Sequence, residues 1–319
     1  MLTFSQKSQA IDRRTLIYTA VPPPRGAPPR VVEARLTILH EISKRVPIDA
    51  INIPEVRPES RNPPVTPFVP KMEPRRFAHL VQRELPRPVE IIIDRSIVHT
   101  PWHNQRKWLL KSWRTFGIRT LLLVGGESSQ IRYPGPSVTQ AARLIHQDDR
   151  MHYSCGGIVI PTRRQANPRW DEPHRLIEKA RSGLEFFISQ VIYEPDSVKT
   201  FLMDYHHCCL QEKVEPKRIF LSFAPISSER DARFLQRWRV VIPPKIEQFI
   251  LKNPASIAAR SIQTSGAILE EILDFTERQK LHIPLGLNIE HVNSRNLQAA
   301  LDMAIHLNKL YRCPKLVQV

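Results

Sequence analysis

The chain has 319 residues, 41% hydrophobic and 7% aromatic, and its 47 Lys and Arg against 31 Asp and Glu give a formal charge of +16. This balance is too apolar for wholesale disorder, and no apolar run approaches the length of a membrane span or the core of a signal peptide. The basic pairs Arg13-Arg14, Arg75-Arg76 and Arg163-Arg164 are scattered instead of gathered into a stripe with aromatics, which argues against nucleic acid and for a polyanionic small molecule. A soluble, cytoplasmic protein is expected. Its four cysteines lack paired CxxC spacing and read as reduced thiols, and no metal site is expected.

In chain order, short β-branched runs alternate with longer amphipathic segments. Leu16 to Val21 reads as a strand halted by Pro22-Pro23-Pro24, and Val31 to Arg45 has helical spacing. Asp49 to Ile53 is a second strand. A loop too rich in breakers to be regular follows, from Pro54 through Pro70, then a helix from Arg75 to Arg83. Val89 to Ile93 is a third strand, Trp102 to Phe116 a helix stopped by Gly117, and Arg119 to Val124 a continuous apolar strand of the doubly covered kind. Ser137 to His146, Asp171 to Arg181 and Asp196 to Leu210 read as helices; His152 to Ile160, Phe186 to Gln190 and Arg218 to Ser222 read as strands. Helices around Glu229 to Trp238 and Pro254 to Gln279 precede a last strand, Leu285 to Ile289, and a last helix, Leu297 to Leu310.

Eight strand–helix units point to an α/β fold, a single-domain (β/α)8 TIM barrel spanning 16–311, with extra helices between strands 7 and 8. Residues 1–15 read as an N-terminal extension and 312–319 as a C-terminal tail. A doubly wound open sheet would want a glycine-rich phosphate loop after the first strand, and Pro22-Pro23-Pro24-Arg25-Gly26 is not one.

In such a barrel the chemistry sits at the C-terminal strand ends. Those ends carry Asn52 and Glu55, Asp94 and Arg95, Glu127, Arg163 and Arg164, Gln190, and Glu290 with His291 and Asn293. Together they describe a polar mouth suited to a polar, anionic, aromatic ligand. The turn Gly125-Gly126-Glu127-Ser128-Ser129 is the best phosphate cradle, because small residues let backbone N–H groups approach an anion. Walker, GxGxxG, HExxH and GxSxG motifs are missing.

Several stretches resemble the methylenetetrahydrofolate reductase family. Ile17 to Pro23 stands where that family has an opening strand followed by two prolines, and Gly117 to Gly126 resembles its helix-to-strand step and Gly-Asp turn. Glu172 through Gln190, with Leu176, Lys179 and Gly183 leading into Phe187-Ile188-Ser189-Gln190, resembles its basic helix and Thr-Gln strand end. Phe223 to Ile226 and Gly286 to Asn293 resemble its two closing strand ends.

The resemblance implies a flavin-dependent oxidoreductase of one-carbon metabolism, with FAD as cofactor, NAD(P)H as possible reductant and a folate as substrate. By position, Gln190 and Asn293 would contact the folate. Lys179, Glu172, Asn52, Asp94 and the Gly125-Gly126 turn would contact the flavin. The family's first-strand proton donor falls on Ala20 and its turn aspartate on Gly126, so Glu127, or Glu290 with His291, is the expected replacement acid. Two alternatives stand beside this reading: a flavin-independent folate-binding methyl or one-carbon transferase, and a non-catalytic partner subunit. A homo-oligomer or an electron-donor protein partner is compatible with each.

Overall fold

A computed structural model describes residues 2–58, 68–127, 131–166, 170–291 and 295–313. A short helix α1 (Phe4–Gln9), capped by reciprocal Thr3 and Gln6 bonds, precedes the first strand. Then β1 (Leu16–Thr19), α2 (Pro29–Arg45), β2 (Ala50–Ile53), α3 (Pro74–Glu84), β3 (Glu90–Ser96), α4 (Trp102–Phe116), β4 (Thr120–Val124) and α5 (Val138–His146) form the first half. The second half runs β5 (Ser154–Val159), α6 (Arg163–Ala166), α7 (Glu172–Arg181), β6 (Phe186–Val191), α8 (Pro195–Glu212), β7 (Arg218–Phe223), α9 (Glu229–Arg237), α10 (Pro244–Leu251), α11 (Ile257–Arg278), β8 (Leu285–Glu290) and α12 (Leu297–Arg312).

The eight strands close into a parallel barrel in sequence order, β8 pairing back onto β1, so the (β/α)8 expectation and the extra helices between β7 and β8 both hold. Proline at the first turn starts α2, α3, α7, α8 and α10, where a missing N–H costs nothing. Gly117 ends α4 with φ 63°, the left-handed conformation that glycine adopts without strain. No helix among the described residues is long and apolar enough to cross a membrane.

The strands bury both faces, and alternate residues sort between two cores. Ile17, Ala50, Ile92, Leu122, Phe186, Ile188 and Phe220 pack inside the barrel, while residues of opposite parity, such as Tyr18, Ile51, Ile93 and Leu221, pack under the helices. Phe4 of α1 closes the N-terminal end of the barrel, edge-on to Phe186 at 5.3 Å and stacked on Phe220 at 5.9 Å. Arg218, wholly buried beside it, donates to the carbonyls of Ser8, Ala10 and Leu285 and so ties the N-terminal segment to β7 and β8. The interior is therefore apolar at the N-terminal end. Its polar residues begin one layer further up.

Candidate functional site: the polar mouth of the barrel

Register fixes which strand-end residues meet. Thr19 pairs with Asn52 on one side and Glu290 on the other, Asn52 with Ile92, and Ser222 with Asn288. Thr19, Asn52, Asp94, Ser222, Asn288 and Glu290 thus share the inward parity of Ile17, Ala50, Ile92, Phe220 and Gly286, and they form the next layer toward the C-terminal mouth.

These side chains make one hydrogen-bonded row. Asn52 Nδ2 donates to Thr19 Oγ1 at 3.4 Å, Thr19 Oγ1 donates to Asn288 Oδ1 at 2.9 Å, and Asn288 Nδ2 donates to both Ser222 Oγ and Glu290 Oε1 at 2.9 Å. Ser222 Oγ in turn donates to the Ser189 carbonyl at 2.7 Å. The Asn52 amide also lies against the Asp94 carboxyl. Two buried acceptors in the row, Asn52 Oδ1 and Asp94 Oδ1, have no partner. Asn52 is only 2% exposed, so water does not satisfy it cheaply.

Loss of water dominates the electrostatics. Burial, reinforced by Glu290 and Glu55, pushes Asp94 up to about 8 against a favourable contact with Asn52. Burial likewise pushes Glu290 up to about 7, partly offset by hydrogen bonds from Ser222 and Asn288. Both carboxyls therefore hold an exchangeable proton near neutrality, the condition for acid–base work.

Of the residues singled out by sequence, Asn52, Asp94 and Glu290 come together here, and the others do not join them. His291, one residue beyond Glu290, points the opposite way into the helix layer, where burial drives it down to about 3. Lys179 lies outside the barrel wall; its ammonium donates to the Ile158 carbonyl at 2.7 Å, and burial lowers it to about 8. Glu172 is buried under the β5–α6 turn, accepting from Ile160 N at 3.2 Å, Trp170 Nε1 at 2.5 Å and Arg163 at 3.4 Å. Gln190 is turned by the register shift of β6 against β7, and its amide donates to the Trp238 carbonyl at 2.7 Å.

The turn after β4 is closed by Tyr133. Its hydroxyl accepts from Glu127 N at 2.9 Å, and its ring fills the space a Cβ at Gly126 would need, while Gly125 packs on Val138. Glu55 and Arg95 pair at 2.9 Å on the outer side of β3, with Arg95 also bound to Gln105 and lying over Trp108. Arg163 pairs with Glu172, and Arg164 with Asp204 at 3.0 Å. Asn293 lies outside the described residues. The groups expected to carry FAD are thus dispersed: Lys179 and Glu172 are consumed on the outer wall, and Tyr133 occupies the turn. They do not compose a flavin cradle.

Thr19, Ser222 and Asn288 were missed because strand ends were read without parity. The signal was available: each is a polar residue in register with the apolar interior, as in Leu287-Asn288-Ile289-Glu290. A cavity of about 460 Å³ opens at the opposite end, between α1 and the starts of β3 to β6. Its acids are already bonded, Glu90 to Thr120 at 2.8 Å and Glu185 to Ser5 at 2.6 Å and Ser154 at 2.8 Å. The unpartnered acceptors place the site at the mouth.

No family model matches the sequence, and no characterised protein sequence does either. Solved structures do match. One is an uncharacterized protein from Clostridium thermocellum that binds two copies of 5-methyl-5,6,7,8-tetrahydrofolic acid, with TM-score 0.78 and 21% identity over 96% of this chain and 99% of that one. Another is EDTA monooxygenase from Chelativorans sp. BNC1, with TM-score 0.52 and 12% identity over 95% and 94%. At these identities the likeness is one of fold.

Proposed function

We propose that this chain binds a reduced folate at the C-terminal mouth of its barrel, with the pteridine ring held against the row Asp94–Asn52–Thr19–Asn288–Glu290. The observation that carries the reading is the pair of unpartnered acceptors, Asn52 Oδ1 and Asp94 Oδ1. An orphaned buried acceptor costs about 1–3 kcal/mol until a donor reaches it. The amino-pyrimidinone edge of a pterin offers adjacent N–H donors of that kind. Its ring nitrogens and carbonyl accept from amides and protonated carboxyls, which Asn288, Asp94 and Glu290 supply near neutral pH. The methyltetrahydrofolate-binding Clostridium thermocellum protein, which shares the fold along nearly its whole length, supports the same ligand class.

Within this reading Asp94 and Glu290 hold protons beside the ring, and Asn52 and Asn288 orient it. The reaction class is one-carbon chemistry on folate, and it draws on the mouth residues alone. The oxidoreductase reading, with FAD and NAD(P)H, has less support because the residues that should hold the flavin are spent elsewhere. Titration calorimetry with 5-methyltetrahydrofolate is the test. Saturable binding is expected, weakened by about tenfold or more in Asn52→Ala, consistent with loss of one buried polar contact. No saturable binding, or an Asn52→Ala variant that binds like the wild type with an unchanged circular dichroism spectrum, overturns the proposal.

A further inference from the structure

Behind the tips of β1 and β8, on the side away from the mouth, basic side chains gather without a counter-charge. Thr19 and Glu290 face the mouth, and the next residue of each pair, Ala20 and His291, lines a narrow cavity with Tyr18, Arg35 and Phe77. Arg35 reaches out of α2 and is 5% exposed; one terminal nitrogen donates to the Val31 carbonyl at 3.3 Å, and its Nε has no partner. His291 is 4% exposed; Nδ1 lies 3.3 Å from the Tyr18 hydroxyl, and Nε2 has no partner. An imidazole that accepts from Tyr18 at Nδ1 carries its proton on Nε2 and presents a donor to the cavity.

Lys71 completes the group. A bridge between Pro24 and Lys71, with Met72 N donating to the Pro23 carbonyl and Arg25 N to the Pro70 carbonyl, both at 2.8 Å, pins its backbone beside the start of α2. Burial depresses Arg35. Lys71 is depressed by burial and then by Arg35, and His291 feels both cations. Every influence on the three is burial, a like charge or a backbone contact, and no carboxylate pairs with Arg35 or Lys71 among the described residues. A buried guanidinium without a counter-ion is costly, and an entering anion relieves that cost.

We propose that Arg35, Lys71 and His291 form an oxyanion site that anchors a carboxylate of the ligand whose ring lies in the mouth. The proposal rests on the folate reading, since a folate carries its carboxylates at the end remote from the pteridine. The ring would sit inside the tips of β1 and β8, and the tail would cross those tips to the cation cluster. Half-buried Lys71 marks the side of entry. The guanidinium fork of Arg35 suits a carboxylate, and charge-assisted bonds are the strong ones.

The test compares 5-methyltetrahydrofolate with 6-methyltetrahydropterin, which has the ring and no carboxylate, on wild type, Arg35→Gln and the less buried Lys71→Gln. Both variants are expected to weaken the folate about tenfold and leave the tetrahydropterin unchanged. Equal losses for both ligands, or none for either, overturn the anchor. A wild type that binds neither ligand overturns the mouth reading and the anchor with it. Thermal stabilisation by inorganic phosphate that Arg35→Gln abolishes, with folate affinity unchanged, assigns the site to a free anion and also overturns the anchor.

Discussion

Asp94 and Glu290 stand at the two ends of one hydrogen-bonded row, and each keeps its proton to a higher pH than it would in water. The folded chain therefore binds protons that the unfolded chain has already released. Stability falls as pH rises from the ordinary carboxylate range through about 8 for Asp94, the reverse of a salt-bridged acid. The ligand-free melting temperature is expected to fall between pH 5 and pH 8, and Asp94→Asn, which cannot ionise, should flatten that fall. A slope unaltered by the substitution would show that Asp94 titrates normally. At this scale the sequence revealed Asn52, Asp94 and Glu290 because they stand where strands end. It misplaced Lys179 and His291, because membership of the mouth depends on which way a side chain points. One residue of offset separates Glu290 inside from His291 outside.

Strand elements were legible to within a few residues, since a doubly covered strand is a short apolar run bounded by breakers. The third strand was read as ending at Ile93, whereas it continues to Ser96, and that extension makes Asp94 a rigid strand residue and not a loop residue. Between β7 and β8 the segment read as one helix from Pro254 begins as a 3-10 turn, Pro254–Ser256, before α11, and α10 was not foreseen. α1 was also missed; its stability comes from the barrel floor it covers, which six residues of local sequence do not report. Inside the barrel, Gly156 and Gly286 leave room for the rings of Phe186 and Phe220, and a Cβ at either would run into a ring. Gly156→Ala should destabilise the protein by about 1–3 kcal/mol, since those rings have no space to retreat, and urea unfolding reads the change directly. A neutral effect would mean that the interior is looser than its packing implies.

Across the whole molecule, one end of the barrel is dry and bolted while the other is polar and frustrated. The bolt is Arg218, whose three carbonyl partners come from the N-terminal segment and from β8. Arg218→Leu strands those carbonyls and should cost about 3 kcal/mol of stability in urea while sparing ligand affinity, because the mouth lies at the far end. A loss of affinity with stability intact would mean that the two ends are coupled. The barrel class was visible in the rhythm of the sequence. This division of labour between its ends was not, since it depends on contacts between residues as much as 210 positions apart.

That separation bears on how the chain is made. Phe4 leaves the ribosome long before Phe220 and Arg218 exist, so the helix that seals the floor waits, undocked and with its apolar ring exposed, until nearly the last strand is synthesised. Completion of the barrel and docking of the first helix are then a single late event, and a nascent chain halted before β7 carries an unsheltered Phe4 that a chaperone or a protease can reach.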